Sequence, residues 1–120
     1  MQQFDLIIIG GGPGGYLCAE RAGKAGLKPA LIEKRALGGT CLNEGCIPTK
    51  SLLYCAKQYQ SALHGADYGV TAENVSFDHA KAVLRKDGVV KTLVRGVGSA
   101  MKAHGVTVFS AEGRILSKTG

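Results

Sequence analysis

A short apolar run that ends in a glycine-rich turn constrains the fold of this chain more than any other feature. Residues 4–9 (FDLIII) are rich in β-branched side chains and stop at Gly10, as is typical of a strand buried on both faces of a parallel sheet. We predict a helix over residues 14–24, which stops at Gly26, and a second strand over residues 29–32. A strand, a helix and a strand within about thirty residues form a βαβ unit, so the predicted fold class is α/β.

The rest of the sequence continues to alternate between helical and extended patterns. One helical pattern runs over residues 40–56, and the strongest, with a Val and Met stripe, over 78–102. Polar residues 65–76 predict an irregular connection between them. Residues 105–109 predict a third strand, and 113–116 the beginning of a further one. Because third strands of doubly wound sheets are usually followed by more elements, we expect an incomplete doubly wound, Rossmann-like sheet.

Composition and charge exclude several classes of protein. With 45% apolar residues in 120, the chain is long enough for one globular domain, and its 18 glycines follow no repeat. The net charge of +6 is scattered rather than clustered, so we do not expect nucleic-acid binding. No apolar run approaches the ~20 residues of a membrane helix, and no leader pattern is present, so we expect a cytoplasmic protein without membrane contact. In that setting the four cysteines indicate redox or metal chemistry before a structural disulfide framework.

The glycine turn fits a dinucleotide-binding fingerprint, Gly10-x-Gly12-x-x-Gly15. The first glycine permits a tight turn, the second lets the backbone approach a pyrophosphate, and the third lets helix and strand pack closely. The helix that follows directs free N–H groups at the phosphates. Glu33, at the end of the second strand, can accept hydrogen bonds from ribose hydroxyls and disfavours a 2′-phosphate, which favours FAD or NAD over NADP. The alternative is a plain glycine-rich turn with a solvent-facing Glu33.

A pair of cysteines, Cys41 and Cys46, lies in the second helical pattern. On an ideal helix their Cα atoms would be about 8.7 Å apart, beyond the ~4.4–6.8 Å that a disulfide allows, so a bridge requires the segment to bend. Gly45 can absorb the distortion, and Pro48 lacks a helical donor just beyond it. We predict Thr40 as an N-cap, which would place Cys41 in a first turn, where the helix dipole favours its thiolate.

The spacing of the two cysteines is also compatible with two buried thiols or with a structural disulfide. A zinc site would need further ligands, and the other cysteines and the histidines lack metal-ligand spacing, so we expect no metal. Cys18 and Cys55 fall in predicted helices and are expected to pack as small apolar residues.

Residues 38–53, GGTCLNEGCIPTKSLL, resemble the flavin-linked disulfide reductases. Leu42 and Ile47 stand where glutathione and mercuric reductases usually have Val, so the resemblance is closest to the dihydrolipoamide dehydrogenases. Fragments of the other two reductases, a nucleotide-binding module without catalysis and a flavin-independent thiol–disulfide protein are the alternatives.

The resemblance implies roles for individual residues. Cys41 would be the thiol that exchanges with the substrate, Cys46 would form a thiolate–flavin charge-transfer pair, and Lys50 would lie near the reactive edge of the flavin. Glu33 would hold the adenosine ribose and Gly113 would lie at the adenine end. The full set of residues expected to contact FAD is Gly10, Gly12, Pro13, Gly14, Gly15, Glu33, Lys34, Gly38, Gly39, Thr40, Cys41, Lys50 and Gly113.

The resemblance also implies what residues 1–120 would lack. They would form the N-terminal part of an FAD-binding domain, without the NAD-binding and dimer-interface domains or the catalytic His–Glu pair. His64, His79 and His104 match no such pair. Such a fragment is expected to be inactive alone, to bind FAD weakly or not at all, and to self-associate through exposed strand edges. Full-length relatives of this kind are homodimers that act on lipoyl domains of 2-oxo acid dehydrogenase or glycine cleavage complexes and pass electrons through FAD to NAD.

Overall fold

A three-stranded parallel sheet organises the protein. The computed structural model describes residues 2–118, so residues 1, 119 and 120 of the predicted domain lie outside the described residues. The elements in chain order are β1 (Leu6–Ile9), α1 (Pro13–Lys24), β2 (Pro29–Glu33), α2 (Gly39–Asn43), α3 (Cys46–Leu63), a 3₁₀ turn (Gly65–Tyr68), α4 (His79–Ala103) and β3 (Thr107–Ser110). The predicted α/β class is confirmed.

The strand order is β1-β2-β3, with the middle strand paired on both edges. Ile8 of β1 pairs with Leu31, and Leu31 pairs with Val108 of β3. Leu31 is fully buried and packs with Ala19 of α1 and Met101 of α4. α1 and α4 therefore contribute to the same core cluster, and Ile8 of β1 packs against it. The cluster holds β1, α1 and β2 together as the βαβ unit, with the carboxyl ends of the strands beside the glycine turn.

The prediction that the first strand is buried on both faces is wrong in the part of the chain that the structure describes. Ile7 is 59% and Ile9 50% exposed, whereas Ile8 packs against the core cluster. In the central strand, by contrast, Pro29, Ala30 and Leu31 are all buried. The difference arises because β1 is a sheet edge with a helix layer on one side only, so alternate side chains lack a covering layer.

Two further predictions need correction. The helix expected over 40–56 is split into α2 and α3, and α3 runs on to Leu63. Residues 113–116 form no strand: Gly113 lies against the side chains of Ile9 and Ile32, and the two residues beyond Arg114, Ile115 and Leu116, are 83% and 87% exposed. Gly113 lies at the carboxyl ends of β1 and β2, where it contacts side chains of both strands and pairs with neither.

The long helix α4 matches its prediction. It begins after Asp78, whose side chain accepts a hydrogen bond from the Lys81 backbone N–H and so caps the helix. Within residues 2–118, no helix is both long and apolar enough to cross a membrane.

Candidate functional site

The glycine turn joins β1 to α1 in a conformation that requires glycine. Gly10 has φ +105° and donates its N–H to the Ile32 carbonyl at 2.8 Å, which attaches the turn to β2. A Cβ atom on Gly15 would lie 1.8 Å from the Gly10 carbonyl oxygen. Pro13 occupies the first position of α1, where its missing N–H costs no helical hydrogen bond. The turn therefore has the geometry that the fingerprint predicted, with the N–H groups of the first turn of α1 at its mouth.

Glu33 is hydrogen-bonded to the backbone on both sides of its carboxylate. Oε1 accepts from the Arg35 N–H and Oε2 from the Gly11 N–H, each at 2.7 Å. These two bonds, led by that from Arg35, hold the pKa of the Glu33 carboxyl below its ordinary value of 4.5. A carboxylate oxygen can accept more than one hydrogen bond, so both oxygens keep capacity for ligand hydroxyls.

A cavity of about 180 Å³ opens beside this carboxylate. Its lining brings together four residues predicted to contact the cofactor, Gly10, Glu33, Lys34 and Gly113, with apolar walls from the ends of β1 and β2. The Gly113 segment therefore closes one side of this cavity, although it forms no strand.

The segment that leads into α2 is attached to the glycine turn. Gly38 has φ +95° and donates its N–H to the Gly11 carbonyl at 2.8 Å. Gly39 lies so close to the turn that a Cβ atom on it would be 2.7 Å from Gly12 Cα. The segment that carries Cys41 and Cys46, residues 38–46 (the redox segment), is thus in direct backbone contact with the glycine turn.

The predicted N-cap at Thr40 is wrong, because the N-cap of α2 is Gly38, two residues earlier, and it has no capping side chain. The left-handed backbone at Gly38 turns the chain into the helix before Thr40 is reached. Cys41 still lies in the first turn of α2, as expected.

The two cysteines of the redox segment form a disulfide. The Cα atoms of Cys41 and Cys46 are 4.7 Å apart. The predicted bend is confirmed at Gly45, which separates α2 from α3 with φ −122° and ψ −101°. Pro48 falls in the first turn of α3, where the helix needs no donor from it. Cys46 is exposed and Cys41 half-buried, so exposure alone does not identify Cys41 as the exchanging thiol.

A groove of about 260 Å³ between α3 and α4 begins next to the disulfide. Lys50, one turn after Cys46, lies on its rim with Ile47. Arg85 of α4 reaches across, donates from Nη1 to Ser51 Oγ at 3.1 Å and lies over the Tyr54 ring. Sequence reasoning did not single out Arg85, and a lone cation within a helical stripe gives no signal that its partner lies 34 residues away.

Other residues considered from the sequence lie outside this arrangement. His104 is 3.6 Å from Glu20, and the His79 ring lies against Phe77. Cys55 is half-buried, whereas Cys18 is exposed on α1. The expectation that Cys18 packs as a small apolar residue is therefore wrong. The exposed face of α1 has no covering layer in the described chain, which is why the thiol is accessible.

Comparison with protein families matches residues 4–120 to the pyridine nucleotide-disulphide oxidoreductases. The chain is 49% identical to the dihydrolipoyl dehydrogenase of Acholeplasma laidlawii over 97% of its own length and 35% of that protein. It is 45% identical to the dihydrolipoyl dehydrogenase of Chlamydia trachomatis over 98% of its length and 25% of that protein.

Among solved structures, one similar protein is the HOCl-induced flavoprotein disulfide reductase RclA from Escherichia coli, determined as a Cu(II) complex. The TM-score is 0.78 at 30% identity, over 97% of this chain and 23% of that one. The chain therefore spans between about a quarter and a third of the length of the curated relatives named above.

Proposed function

The chain belongs to the pyridine nucleotide-disulphide oxidoreductase family, and from that premise we propose that it forms the flavin-binding and redox-disulfide part of a dihydrolipoyl dehydrogenase. The observation that carries the proposal is the contact between its two functional segments. The Gly38 N–H donates to the Gly11 carbonyl, so Cys41 of the Cys41–Cys46 disulfide lies only three residues along the chain from the contact with the glycine turn. The whole protein would oxidise a protein-bound dihydrolipoyl group and reduce NAD.

The disulfide supplies the first chemical step. A thiolate of the dihydrolipoyl group attacks Cys41 Sγ, the Cys41–Cys46 bond breaks, and Cys46 leaves as a thiolate. The second substrate thiol, after losing its proton, attacks its own sulfur partner in the mixed disulfide and releases Cys41. The substrate leaves as a cyclic disulfide, and the two electrons remain on the cysteine pair. Cys41 lies in the first turn of α2 and Cys46 begins α3, so both thiolates would be formed at helix N-termini, where the dipoles favour them.

The cofactor of this site would be FAD, which supplies a two-electron acceptor for the dithiol. The fit rests on the arrangement of backbone and carboxylate groups around the turn. The first turn of α1 presents free N–H groups for a pyrophosphate, and Gly12 and Gly39 let the backbones of the glycine turn and the redox segment touch beside it. The cavity beside Glu33, Lys34 and Gly113 would take the adenosine half. Lys50, exposed one turn after Cys46, would lie near the isoalloxazine.

The remaining parts of the activity would come from residues outside this segment. We assign residues 1–120 to the N-terminal part of an FAD-binding domain, and the NAD-binding and dimer-interface parts to the rest of a longer homodimer. Its partners would be lipoyl domains of 2-oxo acid dehydrogenase or glycine cleavage complexes, in the cytoplasm. By itself the segment would turn over little substrate and hold FAD weakly, because half of the site would be missing.

The function is tested by joining residues 1–120 to the remaining length of the Bacillus subtilis dihydrolipoyl dehydrogenase, which is 46% identical over 95% of this chain. We expect the purified hybrid to contain FAD and to reduce NAD with dihydrolipoamide. Hybrids with Cys41→Ser or Cys46→Ser should keep FAD and lose this activity at least a thousandfold, because neither can form the disulfide. A hybrid that holds FAD, has an intact disulfide and does not oxidise dihydrolipoamide contradicts the proposal.

A further inference from the structure

Asn43 lies between the two cysteines, and its side chain is directed at the backbone of its own segment. Its amide Nδ2 donates to the Leu37 carbonyl at 3.0 Å and to the Gly39 carbonyl at 2.9 Å. A carboxamide has two N–H donors, so both are used. The side chain is half-buried, so these bonds are partly shielded from competing water.

The two carbonyls that Asn43 binds lie on either side of Gly38. Gly38 is buried and donates its N–H to the Gly11 carbonyl, and Gly39 touches Gly12. The Leu37 carbonyl shares its peptide group with the Gly38 N–H, and the Gly39 carbonyl belongs to the peptide that follows Gly39, so fixing these two peptide groups fixes the contact between the redox segment and the glycine turn.

Helix propensity gives no reason for an asparagine at this position. Asn is a poor helix former, and α2 has only five residues, too few to be stable without tertiary contacts. The two hydrogen bonds account for the residue better than its contribution to the helix does.

We propose that Asn43 is a positioning residue for the nucleotide site, holding Gly38 and Gly39 against the turn through its two amide hydrogen bonds. The inference rests on the proposed function, since it takes the turn to be the site of the FAD pyrophosphate. Asn43 acts only through the backbone and needs no contact with the ligand.

Three variants separate this role from a general effect on folding. Asn43→Ala removes both donors and adds no charge, and Ala is the better helix former. Asn43→Ser keeps a hydroxyl that can donate to the carbonyl four residues earlier, as Thr92 Oγ1 does to the Gly88 carbonyl at 2.9 Å in α4. Thr92→Ala is the matched control, because it removes a side-chain bond of the same kind on the exposed surface of α4.

The measurements are hydrogen exchange at the Gly38 amide and calorimetric titration with ADP, both on the oxidised chain. ADP is the probe because it contains the pyrophosphate and adenosine that the turn and the Glu33 cavity would hold. Losing two hydrogen bonds in Asn43→Ala should speed Gly38 exchange and weaken ADP binding, each about tenfold. The Gly38 exchange rate and the ADP affinity of Asn43→Ser should lie between those of Asn43→Ala and the parent. Thr92→Ala should match the parent in both.

Either measurement can overturn the inference. Unchanged Gly38 exchange in Asn43→Ala contradicts it, whether or not ADP binds. ADP affinity in Asn43→Ala equal to that in Thr92→Ala also contradicts it. Failure of all four proteins to bind ADP contradicts the proposed function when the hybrid with the Bacillus subtilis enzyme also holds no FAD, while faster Gly38 exchange in Asn43→Ala alone would still support the backbone positioning.

Discussion

Gly39 of the redox segment and Gly12 of the glycine turn touch through their backbones, and a Cβ atom on Gly39 would lie 2.7 Å from Gly12 Cα. Gly39 also has φ +59°, a region that side chains disfavour. Substitution by alanine must therefore separate the two segments or strain them.

Gly39→Ala is expected to lower the free energy of unfolding by about 1–3 kcal/mol and to weaken ADP binding at least tenfold. Gly96 in α4 provides the control, since it has no atom within 4 Å of an added Cβ. Gly96→Ala should raise the free energy of unfolding by about 0.5–1 kcal/mol through helix propensity and leave ADP affinity unchanged. Urea denaturation and calorimetry measure both, and equal ADP affinities in the two variants would refute the contact as a determinant of binding.

The adjacent glycines 14 and 15 should respond in opposite ways to alanine. A Cβ on Gly15 would lie 1.8 Å from the Gly10 carbonyl oxygen, whereas one on Gly14 meets nothing within 4 Å. We expect Gly15→Ala to cost more than about 2 kcal/mol of unfolding free energy and Gly14→Ala to be neutral or slightly stabilising. A Gly15→Ala protein as stable as Gly14→Ala in urea would show that the turn is not packed in this way.

Glu33 should contribute to stability in a pH-dependent manner. Its pKa is lowered by hydrogen bonds from the Arg35 and Gly11 N–H groups. A lowered pKa in the folded state means that the stabilisation is present above the ordinary value of 4.5 and is lost as the pH falls through the folded pKa. Glu33→Gln should therefore lose less stability than the parent as the pH falls below 4.5 in urea titrations. Glu73→Gln, on an exposed loop, is the control, and its stability should change with pH as that of the parent does. A pH profile of stability for Glu33→Gln identical to that of the parent would contradict this role of Glu33.

Reduction of the Cys41–Cys46 disulfide should destabilise the chain measurably. Closing so short a loop removes enough unfolded-state entropy to stabilise by about 2 kcal/mol in the chain-entropy estimate. Dithiothreitol should therefore lower the unfolding free energy by about that amount, and thiol titration of the unfolded chain should rise from two groups, Cys18 and Cys55, to four. Dithiothreitol should lower the unfolding free energy of Cys18→Ser by as much as that of the parent. Four titratable thiols before reduction would contradict the disulfide.

Local chemistry explains what the sequence could predict. Few structures satisfy the patterns of the β1 run, the glycine turn and the apolar stripe of α4. Gly45 is predicted as the bend because Cys41 and Cys46 cannot bridge on a straight helix. Glu33 was correctly placed at the end of β2, although its hydrogen bonds to Gly11 and Arg35 were not anticipated.

The parts that could not be predicted depend on contacts between distant segments. The exposed face of β1 follows from which side the helices cover, and this is not encoded in residues 4–9. The path of Gly113 past the ends of β1 and β2, where the sequence predicted a strand, is likewise a contact between distant segments. The early start of α2 and the bonds of Asn43 depend on how Gly38 meets the turn, which is a tertiary contact.

The central claim is that the glycine turn and the redox segment together form one nucleotide site. It is tested most directly by recording ¹H–¹⁵N spectra of the oxidised chain during titration with ADP. We expect saturable shifts of the Gly11 and Gly12 amides together with those of Gly38 and Gly39, at a single dissociation constant. Shifts confined to the groove between α3 and α4, or no saturable shift in either glycine pair, would contradict it.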